Sequence, residues 1–174
     1  IFNRLADKVV QKMMEIYGTT SFVSVHLRTE EDFRIACDQW KPRAFEGGKT
    51  LKCLQDEKSV YSFLMDSGIS KDSLLFIMTS DTDDVLHGSL CRESNFRCVS
   101  KSMLLGADVD YPPQFIKSVN SFAMLDFTIA LRATAFFGNA YSTMSVEIYH
   151  EFRHVGKSAK FYNERLVTDN YYQY

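Results

Sequence analysis

Two short segments of this sequence carry side chains suited to holding a phosphate. The first is Ser-Phe-Val-Ser-Val-His-Leu-Arg, Ser21 to Arg28, followed by Thr-Glu-Glu-Asp. It reads as an apolar strand that ends on His26 and Arg28, and strand alternation puts those two side chains on one face. A guanidinium grips phosphate oxygens in bidentate fashion. The competing reading of Arg28 is a strand-end ion pair with Glu30, Glu31 or Asp32, which is common and contributes little. The second segment, Ala135 to Ser145, reads as a strand, a turn at Gly138-Asn139, and a helix opening on Ser142, Thr143 and Ser145. A helix N-terminus offers unpaired N–H groups and the positive end of a dipole, which suit a phosphate. Gly138 lets the backbone turn sharply or approach a ligand closely. The plainer reading of the hydroxyl cluster is an ordinary N-cap.

Asp126 is a third candidate. Its neighbours one helical turn away are Phe122, Ala123, Ile129 and Ala130, all apolar. A carboxylate in an apolar stripe needs a partner. The adjacent N–H donors of a guanine ring match one carboxylate; a backbone group or an arginine would also serve. Asp81, Asp83 and Asp84 follow an apolar run, where they fit either a metal-diphosphate site or the favourable first turn of a helix. His150 and His154, four residues apart, read as a helix surface rather than a metal pair, and His87 has no partner at metal-ligand spacing. No Ser-His-Asp order or nucleophile elbow is present. Neither G-x-G-x-x-G nor G-x-x-x-x-G-K-[ST] occurs, which removes support for a standard NAD site and for a P-loop.

The elements that must position these residues can be read from periodicity. Residues 2–17 place Phe2, Leu5, Val9, Met13 and Ile16 at helical spacing, with Gly18 as the stop. Residues 21–27 form a strand, and Phe33 to Trp40 fits a short helix within a polar stretch that holds Pro42, Gly47 and Gly48. Residues 50–66 read as a helix with Leu51, Leu54, Val60, Phe63 and Leu64 inward, ended by Gly68. Leu74 to Met78 is a continuous apolar run of the kind a two-sided parallel sheet buries. Thr79-Ser80-Asp81 caps a helix from about Thr82 to Leu90, and Phe96 to Val99 is a short strand. A loop with Asp108, Asp110, Pro112 and Pro113 fills residues 100–115, followed by an apolar helix over 117–132. Ala135 to Phe137 is a strand and Ser142 to Phe152 a helix, and the polar, tyrosine-rich tail from Lys157 is expected to be peripheral. Strand then helix, four times, predicts an α/β fold: a Rossmann-like, mainly parallel sheet with helices on both faces and ligands at the strand C-termini.

A length of 174 residues fits one domain, residues 1–174, large enough to bury a core. Net charge is −2 with no basic block, so no nucleic-acid partner is expected and any anion site must be local. No apolar run approaches the ~18 residues needed to cross a membrane. The chain starts at Ile1 inside a predicted helix and is expected to be a piece of a longer protein. Cys37, Cys53, Cys91 and Cys98 include no C-x-x-C pair, so zinc is not expected. Cys91 and Cys98 flank a short polar stretch that a disulfide could close, and four half-buried thiols fit the sequence equally well.

The segment Val-His-Leu-Arg with Glu-Glu-Asp-Phe and Cys37 resembles the His-Leu-Arg segment of the GDP-fucose protein O-fucosyltransferases. Asp126, then Gly138-Asn139, then Ser142-Thr143-Met144-Ser145, resembles that family's last motif, and Thr79-Ser80-Asp81 lies where the family has a similar strand end. The resemblance spans roughly residues 20–155. It implies the C-terminal, donor-binding half of a GT-B glycosyltransferase. The implied activity is inverting, metal-independent transfer of fucose from GDP-fucose to a Ser/Thr or glycan hydroxyl, in the secretory pathway. Arg28 would contact the diphosphate and neutralise the leaving GDP, as the catalytic residue. His26 would support phosphate or ribose, Asp126 would read guanine, and Ser142 and Thr143 would hold phosphate oxygens. Gly138, Asn139 and Ser145 complete the implied donor site, with no cofactor and no metal. The implied partners are GDP-fucose, a protein or glycan acceptor, and a missing N-terminal acceptor half; without that half the chain would bind donor weakly and transfer nothing. Thr134 and Met144 depart from the family, which often has an Asp and an aromatic there. Those departures leave two other readings: a non-catalytic interaction module on the same fold, or a glycosyltransferase using another nucleotide sugar.

Overall fold

The structure, a computed structural model, describes residues 1–28, 31–39, 53–79, 90–91, 96–105 and 119–163. Its elements in chain order are α1 (Phe2–Tyr17), β1 (Val23–His26), α2 (Glu31–Gln39), α3 (Glu57–Asp66), β2 (Leu74–Met78), β3 (Arg97–Val99), α4 (Lys101–Leu105), α5 (Val119–Ala130), β4 (Ala135–Gly138), α6 (Thr143–His154) and β5 (Ser158–Phe161). The expected cap and helix after Thr79, with Asp81, Asp83, Asp84 and His87, lie outside the described residues, as do Glu30, Leu51, Asp108 and Asp110.

The five strands form one all-parallel sheet in the order β3-β2-β1-β4-β5. The chain starts in the middle at β1, runs outward through β2 and β3, then returns to the other side of β1 for β4 and β5. The order reverses between β1 and β4. In open α/β sheets ligands bind in the crevice outside the strand C-termini at such a point. The register pairs Val23 with Ala135 and Val25 with Phe137, so β1 and β4 end at nearly the same level.

Alternation along the strands divides the core into two layers. Leu74, Phe76, Met78 and Phe136 face a layer built from α1, α4, α5 and α6. Val23, Val25, Leu75, Ile77 and Phe137 face the opposite layer with Val60 and Leu64 of α3, Leu90 and Phe96. Every residue of β1 and β2 is buried, as expected for central strands covered on both faces.

Several boundaries differ from those the sequence predicts. Leu5, Val9 and Met13 of α1 are buried, but Ile16 is exposed because the stripe continues four residues after Met13 at Tyr17, which packs against the core before the helix ends at Gly18 (φ 70°). The helix expected from residue 50 begins at Glu57. Asp56 caps it, accepting from the Ser59 N–H at 2.7 Å, and leaves Leu54 outside the helix and exposed. The loop expected from residue 100 begins instead as α4: Leu104 and Leu105 have a buried face to fill, and Ser100 lies against its first turn. The tail is not peripheral where it is described. Ser158–Phe161 adds a fifth strand, paired to β4 from Ala135↔Ser158 to Gly138↔Phe161. Its alternation (exposed, half-buried, exposed, buried) is that of an edge strand and reads as polar tail in the sequence.

All four cysteines are paired, Cys37 with Cys53 and Cys91 with Cys98. The first bridge ties α2 to the segment leading into α3. The second closes the short polar stretch before β3.

Candidate functional site

The C-terminal ends of β1 and β4 carry most of the expected residues. Neighbouring strands run about 4.8 Å apart, so the segments leaving β1 and β4 are necessarily close to each other. His26 is the last residue of β1 and is buried. Its Nδ1 lies 2.7 Å from Ser145 Oγ, in the first turn of α6. This contact joins the two segments across 119 residues of sequence. The backbone around it is also held: Leu27 N–H donates to the Met78 carbonyl, and the Tyr162 hydroxyl donates to the His26 carbonyl at 3.0 Å.

Arg28 comes two residues later. Its guanidinium lies 5.0 Å from the centroid of the Phe33 ring and 3.8 Å from Asp32. Asp32 is 78% exposed, so this pair is well solvated and of little energetic weight. The ring supports the guanidinium by a cation–π contact. The ion-pair reading of Arg28 made from the sequence is met here, since Asp32 is one of the three carboxylates foreseen.

Gly138 ends β4, and its lack of a side chain has a steric cause. A Cβ there would come within 2.6 Å of Ser145 Oγ and 2.7 Å of the Phe136 ring. The turn after it is fixed by Asn139, whose Oδ1 accepts from the Tyr141 N–H (3.0 Å) and from Asn163 Nδ2 (2.8 Å), while its Nδ2 donates to the Cys53 carbonyl (3.2 Å). Asn163 Oδ1 in turn accepts from the Ala140 N–H at 2.9 Å. Asn139 is 1% exposed, and its amide clamps the turn from within the protein. Asn163 and Tyr162 belong to the same clamp. Sequence reasoning misses both, because only the added strand β5 brings them to the turn.

α6 starts after Ser142, whose side chain does not cap it. Ser142 Oγ is buried and has no hydrogen-bond partner among the described residues. The first turn of a 12-residue helix therefore begins here without a side-chain cap, beside a hydroxyl that could donate to or accept from something outside the chain. Thr143, at the first helical position, is exposed. Ser145 is fully buried and its hydroxyl is taken by His26 and by the Asn139 N–H (3.2 Å).

Asp126 lies on α5, in the helical layer on the same side of the sheet as α6. It is buried, and Lys101 Nζ at the start of α4 holds Oδ2 in an ion pair. Oδ1 has no partner among the described residues. Burial pushes the carboxyl up from 3.8 to about 6, opposed by the charge and hydrogen bond of Lys101. The apolar stripe signals that Asp126 needs a partner; that the partner is a lysine 25 residues away is a tertiary fact with no local signature.

Thr134, one of the two departures from the family pattern, lies before β4 at the opposite edge of the sheet. Its N–H and Oγ1 both donate to the Phe22 carbonyl at 2.9 Å, which ties the start of β4 to the start of β1. Met144 packs against the core. Among the described residues, no group of three or more His, Cys, Asp or Glu side chains is arranged to hold a metal ion.

The strand order and the two helical layers define a Rossmann-like α/β domain. Solved structures of POFUT1, a GDP-fucose protein O-fucosyltransferase, have this fold. Against POFUT1 in complex with GDP the TM-score is 0.59 at 18% identity, covering 91% of this chain and 47% of that one. Against POFUT1 in complex with GDP-fucose it is 0.58 at 19% identity, covering 91% and 46%. The chain thus spans about half the length of these structures, and at such identities the likeness is one of fold. No family model and no curated protein matches the sequence.

Proposed function

We propose that this chain is the donor-binding domain of an O-fucosyltransferase-like enzyme that binds GDP-fucose and passes fucose, with inversion, to a Ser/Thr or glycan hydroxyl. The observation that carries this reading is the content of the switch point. Arg28 lies just past β1, and the uncapped start of α6 with the unpartnered Ser142 hydroxyl lies just past β4, at the end where a parallel sheet takes its ligand. A cation on one side and a helix N-terminus on the other suit a diphosphate.

In this reading Arg28, supported by Phe33, binds the diphosphate and stabilises the charge that builds up on departing GDP. Ser142, Thr143 and the first N–H groups of α6 hold phosphate oxygens, and His26 supports phosphate or ribose. Asp126 accepts from guanine through Oδ1, with Lys101 retaining Oδ2. Gly138, Asn139 and Ser145 shape the turn from beneath. Neutralisation by Arg28 and the helix dipole supplies what a metal would otherwise supply. The interaction-module reading loses one of its supports, because Thr134 stands at the sheet edge away from the switch point.

Calorimetry with GDP, UDP and ADP tests this. The chain is expected to bind GDP best, and Asp126→Asn to remove most of the preference. Arg28→Ala is expected to weaken GDP by about 1.5–3 kcal/mol, the range for hydrogen bonds to a charged group. Equal affinity for GDP and UDP would remove the guanine assignment; no binding of any nucleotide by the folded chain would remove the donor site.

A further inference from the structure

The geometry points to Ser145 as a positioning residue that fixes His26 as the tautomer with its proton on Nε2. A hydroxyl has one proton to donate and two lone pairs to accept with. Ser145 Oγ accepts from the Asn139 N–H at 3.2 Å and lies 2.7 Å from His26 Nδ1. Among the described residues it has no other hydrogen-bond partner, and it is fully buried. If Nδ1 carried a proton and donated it, the Ser145 proton would be left without an acceptor among these groups. Buried polar groups are rarely left so. The hydroxyl proton therefore goes to Nδ1, and the ring proton to Nε2. Beyond its contact with Ser145, the His26 ring then carries one donor and no acceptor.

The contact is built from three elements at once. His26 ends β1, Asn139 comes directly after β4, and Ser145 belongs to the first turn of α6. Gly138 leaves the room, since a Cβ there would come within 2.6 Å of the same oxygen. One hydroxyl thereby sets the ring orientation and the hydrogen-bond polarity of the side chain beside the switch point. The tautomer stands on this geometry alone. That its N–H serves the donor rests on the proposed GDP-fucose-binding role: an Nε2–H matches an acceptor oxygen of phosphate or ribose and rejects a donor group.

Long-range 1H–15N correlation spectra of the full chain, labelled at histidine and recorded at pH 8, read the tautomer directly. His26 is expected to show a protonated Nε2 and a bare Nδ1. A protonated Nδ1, or an even mixture of the two forms, would overturn the assignment. In Ser145→Ala the single pattern is expected to give way to a mixture, with GDP affinity falling ~10-fold, as for one lost hydrogen bond. An unchanged ring pattern and unchanged affinity in that variant would overturn the role of Ser145. If the unmutated chain shows the expected tautomer but binds no GDP, the donor reading fails and the positioning of His26 stands.

Discussion

Asp126 shows how one buried side chain shapes the response to pH. Its carboxyl titrates near 6 in the folded chain against an ordinary 3.8, because desolvation outweighs the help of Lys101. Below about pH 4 the group is neutral whether the chain is folded or not. Between 4 and 6 the unfolded chain releases the proton while the folded chain keeps it, so stability falls as pH rises. Above about 6 the loss is complete, and it amounts to roughly 2–3 kcal/mol. Urea unfolding of wild type and Asp126→Asn across pH 4–7 should show this. The wild-type stability, relative to the variant, is expected to drop by that amount from the acid to the neutral end. A gap that stays level, or widens toward neutral pH, would mean that Lys101 dominates and holds the carboxyl ionised throughout. On the donor-domain reading the cost has a reason: a half-satisfied carboxylate with Oδ1 open among the described residues is what a base-reading group requires before its ligand arrives.

The turn after β4 depends on space. Phe136 and Phe137 point to opposite core layers, and Gly138 must then pass the Phe136 ring and the Ser145 hydroxyl at once. Gly138→Ala is expected to destabilise the chain by about 1–3 kcal/mol, as overpacking does. It should also shift the His26 ring signals, since Ser145 lies between them. A melting temperature and a His26 spectrum both unchanged would show that the turn can open without cost. Legibility in the sequence obeyed the same division between local and distant causes. Leu74–Met78 could be read to the residue because a strand buried on both faces is apolar without interruption. The start of α6 could be read because Gly-Asn with Ser-Thr shortly after it is local chemistry. α4 could not, since five residues carry too little periodicity. β5 could not, because Ser-Ala-Lys-Phe acquires meaning only beside β4. The partners of Asp126, Asn139 and Ser145 were equally invisible, each lying across a contact that exists only once the sheet has assembled. Arg28 and Ser142 were placed correctly at one edge because strand and helix ends are local, and the strand order brought those ends together.

At the scale of the whole molecule, the order β3-β2-β1-β4-β5 creates one switch point, and His26, Arg28, Gly138, Asn139, Ser142 and Ser145 lie at or just past the ends of its two strands, while Asp126 lies on α5 against Lys101. The POFUT1 structures that share the fold have about twice as much chain. On the donor-half reading, these 174 residues hold and polarise the donor, while the acceptor and its activation belong to another half. The chain alone is then expected to bind GDP-fucose without transferring fucose to a Ser/Thr-bearing acceptor. In a protein that also carries an acceptor half, Arg28→Lys separates binding from catalysis. Lysine keeps the charge and loses both the planar fork and the guanidinium contact with Phe33. Charge on the GDP oxygens grows as the glycosidic bond breaks, so the fork should matter more in the transition state than in the ground state. The variant is expected to lose ~10²–10³ in kcat, the usual scale for one electrostatic donor, while its GDP affinity falls by less. Turnover assays paired with GDP calorimetry and a thermal melt measure the split. An Arg28→Lys protein with unchanged kcat would remove Arg28 from catalysis. Fucose transfer by the 174-residue chain alone would show that the acceptor chemistry lies within it, and the division into halves would have to be abandoned.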